Sequence, residues 1–226
     1  MGQNNLYSRE MIKQEFNQPK LFKLLAENTF FHIEKINMTF KKNTTIPLYQ
    51  DDTEYIYYIC DGIASVSITD EVFEFKGPSE FIGLSDSMIN TNNEDFKVTT
   101  ITETIIWRFL KSDVIAKIMS TQEGYLFHYL SMLDQYSLFT KKLMTMKKTH
   151  KERVFIALQE VGKKFGTLTN RANYVKIPPV FTRNLIAQYV GIGLTKLSDS
   201  LLALQEEDLI QMTSKREIIL EIESLI

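Results

Sequence analysis

Seven apolar or aromatic side chains recur at alternating four- and three-residue steps: Tyr125, Tyr129, Met132, Tyr136, Phe139, Leu143 and Met146. This is the a/d seam of a coiled-coil helix. In a chain with 44% hydrophobic residues, a run of this kind arises by chance in some register with a probability of about 0.02, so the spacing is read as structure. The helix it predicts is about 33 Å long, more than a small domain needs for one internal contact. A second stripe, Leu126, Leu130 and Leu133, lies on a neighbouring face. One face is expected to pack on the chain's own β-unit and the other on a second copy, giving a homodimer.

Upstream of the seam the sequence has a different period. From Phe31 to about Phe109 it is a series of short runs rich in Ile, Val, Tyr, Phe and Thr, broken by turn residues, which predicts an antiparallel all-β unit, closed or rolled. Glu54 to Cys60 and Ile63 to Thr69 flank Asp61-Gly62 and read as a hairpin, with a bulge at Gly62 as the alternative. Val98 to Leu110 reads as one late strand. Between them, Gly77-Pro78-Ser79-Glu80-Phe81-Ile82-Gly83 is a corner, followed by a polar loop, Asn90 to Glu94. Cys60, beside the Asp-Gly turn, is expected to be a small core residue of a strand, with a redox sensor as the sharper alternative.

Downstream, Lys147-Lys148-Thr149-His150 interrupts the seam and marks a hinge, and Glu152 to Phe165 forms a new amphipathic helix with Val154, Phe155, Leu158 and Val161 on one side. Gly166 to Asn170 closes it, and Pro178-Pro179 opens the last part. Residues 182–197 have the grammar of a helix-turn-helix. Thr182 is placed to cap the first helix, Ala187 is small where two helices cross, and Gly191 stands at the turn, where positive φ would strain a residue with a Cβ. Leu185, Val190, Leu197, Leu201 and Leu204 supply the apolar face. Leu209 to Gln211, the polar turn Thr213-Ser214-Lys215-Arg216, and Glu217 to Leu220 then read as the hairpin of a wing.

The charge pattern agrees with a division of labour. Residues 1–146 carry 14 basic and 19 acidic side chains, net −5, and residues 147–226 carry 12 and 9, net +3. The acidic front suits a sensor or assembly domain, and the basic back suits a module that approaches nucleic acid. One cysteine excludes an internal disulfide and a four-cysteine cage. His32, His128 and His150 have no metal-ligand spacing, so no metal, no cofactor and no catalytic site are expected, and His128 and His150 read as solvated helix residues. A cupin-like metalloenzyme would need clustered His and Glu that the chain lacks. Without a long apolar run or an apolar N-terminal segment, the expected protein is cytoplasmic and makes no membrane contact.

These parts together resemble the Crp/Fnr family of transcription regulators. Tyr57-Tyr58-Ile59-Cys60-Asp61-Gly62 with Val66 and Ile68, Phe81-Ile82-Gly83, and Thr182-Arg183 through Gly191 and Leu197 carry the resemblance, which runs from about Ile36 to Leu220. It implies an α+β chain: a β-roll effector domain of the cyclic-nucleotide-binding, cupin-like type over 1–112, a dimerisation helix over 113–146, and a winged helix-turn-helix over 147–226. It further implies a bacterial homodimer that binds an inverted-repeat site in double-stranded DNA and contacts RNA polymerase.

Departures from the family pattern sharpen the expectation. In cyclic-nucleotide-binding members a Glu after Phe-Ile-Gly holds the ribose, and an Arg-Ser pair neutralises the phosphate. Here Leu84 follows Gly83, and the Arg-Ser positions fall near Asp95-Phe96, with Lys97 the nearby cation. Phe81, Gly83, Leu84, Asp95, Phe96 and Lys97 are therefore the candidate effector pocket, for an unknown ligand that is not a cyclic nucleotide, as in the branch around the Listeria virulence regulator PrfA. Members that read TGTGA-type half-sites use an Arg, a Glu and a second Arg where this chain has Leu194, Thr195 and Asp199. Leu194 and the Thr195 methyl suit thymine methyls, and Asp199 can accept from cytosine N4. Arg183, Lys196, Lys215 and Arg216 are assigned to phosphates, with Gly193 and Ser198 beside them at the start of the recognition helix. The competing reading is a dimeric protein-interaction scaffold with a degenerate DNA-binding domain.

Overall fold

The structure, a computed structural model, describes residues 8–27, 32–69, 71–84, 96–213 and 217–222. Two short helices come first, α1 (Arg9–Glu15) and α2 (Gln18–Ala26). Nine strands follow: β1 (Lys35–Phe40), β2 (Thr45–Ile46), β3 (Tyr49–Gln50), β4 (Thr53–Asp61), β5 (Ala64–Ile68), β6 (Glu71–Lys76), β7 (Phe81–Ile82), β8 (Phe96–Thr100) and β9 (Thr104–Leu110). Then come α3 (Lys111–Ser120), α4 (Tyr125–Met146) and α5 (His150–Phe165), and β10 (Thr167–Leu168), β11 (Tyr174–Lys176), α6 (Arg183–Val190), α7 (Leu194–Glu206), β12 (Ile210–Met212) and β13 (Ile218–Glu221) complete the described elements. The chain divides into two compact units, residues 1–67 with 75–139, and residues 68–74 with 140–226. The polar loop expected over Asn90 to Glu94 lies outside the described residues.

The nine strands form two antiparallel sheets. In the first, the order is β1-β9-β4-β3, with β7 also on β4; in the second it is β2-β8-β5-β6. The apolar run Tyr55 to Ile59 has its explanation here. Successive side chains of a strand point to opposite faces. Ile56 and Tyr58 join a cluster with Leu21, Leu25, Phe109, Val114, Ile118 and Phe127 from the helices and β9. Tyr57 and Ile59 join a second cluster with Ile46, Ala64, Val66, Val98 and Ile106, between the sheets. β4 is thus buried on both faces, and a strand so placed reads as a continuous apolar run instead of alternating. Phe22 stacks on Tyr58 at 4.0 Å between ring centroids, fixing α2 on the sheet.

Two strand readings are corrected. Asp61-Gly62 does not join a hairpin, because β4 and β5 belong to different sheets, and Val98 to Leu110 is not one strand, because β8 and β9 belong to different sheets. Both segments carry the chain from one sheet to the other, and the two crossings are tied together. Ile63 N–H donates to Thr102 Oγ1 at 2.8 Å, and Ile101 N–H donates to the Ile63 carbonyl at 2.8 Å. Gly62 has φ +92°, and a Cβ there would come within 2.7 Å of the Thr104 backbone, so the approach of the two crossings itself requires glycine. The register of β4 against β9 shifts between Ile59 and Asp61. Cys60, inside that irregularity, is exposed, which overturns the expectation of a core cysteine. Partial burial and the neighbouring Asp61 push its thiol pKa up, which disfavours the reactive thiolate.

In the C-terminal unit, α5 starts at a capping box: Thr149 Oγ1 accepts from Glu152 N–H, and the Glu152 carboxylate accepts from Thr149 N–H at 2.9 Å. Val154, Ala157, Leu158 and Val161 of α5 are buried, as are Ile186, Ala187 and Val190 of α6 and Leu197, Leu201 and Leu204 of α7. The small sheet, in the order β10-β11-β13-β12, adds Val175, Ile210 and Leu220 to the buried set. This is a winged helix-turn-helix. Among the described residues no helix is long and apolar enough to cross a membrane, and no cluster of His, Cys, Asp and Glu could hold a metal ion.

Candidate nucleic-acid interface

α6 begins where the sequence predicts it. Thr182 Oγ1 accepts from Leu185 N–H at 3.3 Å, and the exposed Arg183 is the first helical residue. The helix ends at Gly191 in the left-handed conformation, φ +70°, with Gly191 N–H and Ile192 N–H both donating to the Ala187 carbonyl, at 2.9 and 3.0 Å. That cap satisfies the Ala187 carbonyl and ends α6, and α7 starts three residues later, at Leu194.

α7 presents two faces. Leu197, Ser200, Leu201 and Leu204 are buried, whereas Leu194, Thr195, Lys196 and Asp199 are exposed and Ser198 is half-buried. The helix is capped by Gly193, whose side has nothing within 4 Å of a notional Cβ. An open N-terminus with no acidic residue in its first turn leaves its N–H groups and the positive end of the helix dipole directed outward, an arrangement that suits a phosphate. Leu202 was missed by the sequence reading. It is 55% exposed, seven residues after Thr195 and three after Asp199, and therefore shares their face. Helical spacing alone could have found it. Lys215 and Arg216, assigned to the wing tip, lie outside the described residues, although β12 and β13 do pair antiparallel on either side of them.

The predicted dimer seam is a solvent-facing stripe of this chain. Tyr125, Tyr129, Met132, Tyr136, Leu143 and Met146 are exposed, Tyr136 by 72%, and Phe139 is half-buried. The neighbouring stripe behaves differently: Leu126 and Leu130 are buried with Phe127, while Leu133 is exposed. His128, expected to be solvated, is half-buried, and desolvation with the nearby Lys111 lowers its pKa; His150 is exposed as expected.

The candidate effector residues are only partly brought together. Phe81 and Leu84 are buried in the helix-side cluster, Phe96 packs on the cluster between the sheets, and Lys97 is exposed. Asp95 lies outside the described residues. Gly83 has φ +85°, and a Cβ there would come within 2.8 Å of the Tyr55 carbonyl, so this glycine serves the corner itself.

The same order of β-roll, long helix and winged helix-turn-helix occurs in solved structures. A cyclic nucleotide-binding domain containing protein from Listeria monocytogenes superposes with a TM-score of 0.69 at 20% identity, covering 88% of this chain and 94% of its own. FixK2 from Bradyrhizobium japonicum gives 0.68 at 18% identity, covering 83% and 92%. A Crp/Fnr-family transcriptional regulator from Thermus thermophilus gives 0.62 at 15%, covering 82% and 93%. The fold is that of the Crp/Fnr regulators. No family model and no curated protein sequence matches the chain. Leu84, the residue after Phe81-Ile82-Gly83, is apolar and only 3% exposed.

Proposed function

We propose that this chain is a sequence-specific DNA-binding transcription regulator of the Crp/Fnr type, acting as a homodimer on an inverted-repeat promoter site without a cyclic nucleotide, and recruiting RNA polymerase there. The observation that carries the reading is α7. Its exposed face offers Leu194, Thr195, Lys196 and Asp199 beside an unobstructed N-terminus, in a fold shared with transcription regulators. An inverted repeat follows from two-fold pairing through the exposed seam of α4, with half-sites about one helical turn, roughly 34 Å, apart.

Independence from cyclic nucleotides is supported by Leu84, which packs with Tyr58 and Phe109 where a ribose-binding carboxylate would have to reach a ligand. The exposure of Lys97 is a poor match to a phosphate held within the roll, since a buried charge without a partner costs several kcal/mol. The division into domains at 112 and 146 belongs to the same proposal.

The division of roles in α6 and α7 is testable by two variants. Thr195→Ala is expected to relax base preference, by about 1 kcal/mol or more at the base pair it reads. Arg183→Ala is expected to weaken all sequences about equally and to reduce the salt slope of binding by about one. Fluorescence anisotropy over a salt series, with matched and mismatched duplexes, measures both. A change of preferred bases in Arg183→Ala would reverse the assignment.

A further inference from the structure

The last carbonyls of a helix have no partner within the helix, and cations near them are favoured by the dipole. At the end of α6 two such carbonyls are taken by cations from two other helices. Lys142 of α4 donates from Nζ to the Tyr189 carbonyl at 3.2 Å, and Arg153 of α5 donates from Nη2 to the Val190 carbonyl. Lys142 is held further: its ammonium lies 3.5 Å from the centroid of the Tyr189 ring and 5.8 Å from that of Phe73. The Tyr189 hydroxyl in turn donates to Glu160 at 2.7 Å, and Glu160 pairs with Lys141 at 2.6 Å.

A fully hydrated surface lysine would gain little from such contacts, but this one is partly withdrawn from water. Burial lowers its pKa to about 8, with Arg153 acting in the same sense, against Glu160 of α5 and Glu74 and Glu71 of the β6 strand, which raise it. Tyr189 is the titratable group of α6 that faces it, and the same burial and the Glu160 carboxylate raise the phenol's pKa. A half-buried, partly desolvated charge is held at Tyr189, five residues before Leu194.

We propose that Lys142 is a positioning residue for DNA binding: its ammonium, seated between the ring and the carbonyl of Tyr189, fixes the C-terminal end of α6 and with it the position of Leu194 and Thr195 on DNA. The proposal rests on the reading of α7 as the DNA-contacting helix. Lys142 contacts Tyr189 and is assigned no base and no phosphate. It acts through Tyr189, the Gly191 turn and the start of α7, and Arg153 fixes the adjacent carbonyl so that two points define the helix end. Charge-assisted hydrogen bonds of this kind are about twice as strong as neutral ones, and the cation over an aromatic face adds to them when desolvated.

The test uses the full chain, mixed-sequence duplex DNA as the probe, and Lys142→Met, which keeps the volume and removes the charge. The variant is expected to melt no lower than the parent, because a partly desolvated charge is replaced by an apolar side chain of similar volume, yet to bind DNA about tenfold more weakly at pH 7. The gap is expected to close as the pH rises through about 8, where the parent loses the same charge. Equal affinities at pH 7, a joint loss of stability and affinity, or a gap that persists to pH 9.5 would each overturn the assignment. If the parent chain binds no DNA, the functional reading fails, and Lys142 is judged by hydrogen exchange instead. The amides of Gly191 and Ile192 should then exchange faster in Lys142→Met, and equal rates would refute its role.

Discussion

Between Tyr125 and Leu130, α4 buries Leu126, Phe127 and Leu130, whereas between Tyr136 and Met146 none of its described apolar side chains is buried and Tyr136, Leu143, Met144 and Met146 are exposed. The two halves continue one apolar pattern in sequence but meet different surroundings. In the first half, Phe127 lies in a cluster with Leu21, Tyr58, Phe109 and Ile118, with the Phe16 ring 5.1 Å away. The second half half-buries Leu138 and Phe139 and leaves Tyr136, Leu143, Met144 and Met146 exposed, and an exposed apolar patch is a candidate interaction site. A periodic stripe therefore states which face of a helix is apolar; the surrounding layers decide how much of that face its own chain covers.

The largest effect is expected in the first half. Phe127→Ala removes a buried ring from the cluster and should lower unfolding free energy by about 3–5 kcal/mol, read by urea denaturation. A loss below about 1 kcal/mol would mean that α4 is not stapled to the sheet there. The second half should respond in assembly and not in folding. Tyr136→Glu sets a carboxylate in each copy of the seam and should weaken self-association about a hundredfold. Sedimentation velocity at micromolar concentration measures it, with far-UV circular dichroism unchanged. An undiminished dimer would move the interface away from this face.

A smaller effect distinguishes the second half by pH. The Lys142 amine has a pKa of about 8 in the folded chain, against an ordinary value of 10.5. Below pH 8 it is protonated in both folded and unfolded states, so the cost of burying the charge is then fully present. Between about pH 8 and 10 the unfolded chain binds more protons at this site, and its contribution to stability rises with pH. The difference in melting temperature between the parent and Lys142→Met should accordingly shrink over that interval, as followed by scanning calorimetry. A constant difference from pH 7 to pH 10 would remove the titration from this lysine.

What was legible in the sequence follows from the range of the forces involved. The helix-turn-helix is a local structure, in which a side-chain cap, a glycine turn and helical spacing all act within a few residues, and Thr182, Gly191 and Leu197 serve as read. The exposed face of α7 follows from the same spacing, including Leu202. The β-unit is not local in this sense. The destination of β5 and β8 depends on which sheet each joins, and the contact that ties the two crossings together, Ile63 against Ile101 and Thr102, spans nearly 40 residues. Propensity at Asp61-Gly62 speaks for a tight hairpin, and the long-range approach at Gly62 overrides it.

The N-terminal helices carry local start signals of the same short range. Ser8 caps α1, and Asn17 caps α2 with Pro19 in its first turn, a pairing that marks a helix start. The clamp on α6 had none, because Lys142 and Tyr189 are 47 residues apart and a lysine in a helical stretch ordinarily reads as a solvated side chain. For the effector pocket, the resemblance located the corner at Phe81 to Leu84, but the side-chain directions there depend on both clusters, and Lys97 points away from them.

The decisive measurement is selection of bound fragments from a random duplex pool by the purified full chain. Enrichment of an inverted repeat with half-sites about 10 base pairs apart and A/T-leaning is expected, since Leu194 and Thr195 suit thymine methyls and no arginine stands on the exposed start of α7. Two chains on each enriched duplex are expected by native mass measurement. Enrichment of TGTGA-like half-sites, a single chain per duplex, or no enrichment over the starting pool would contradict the proposed function.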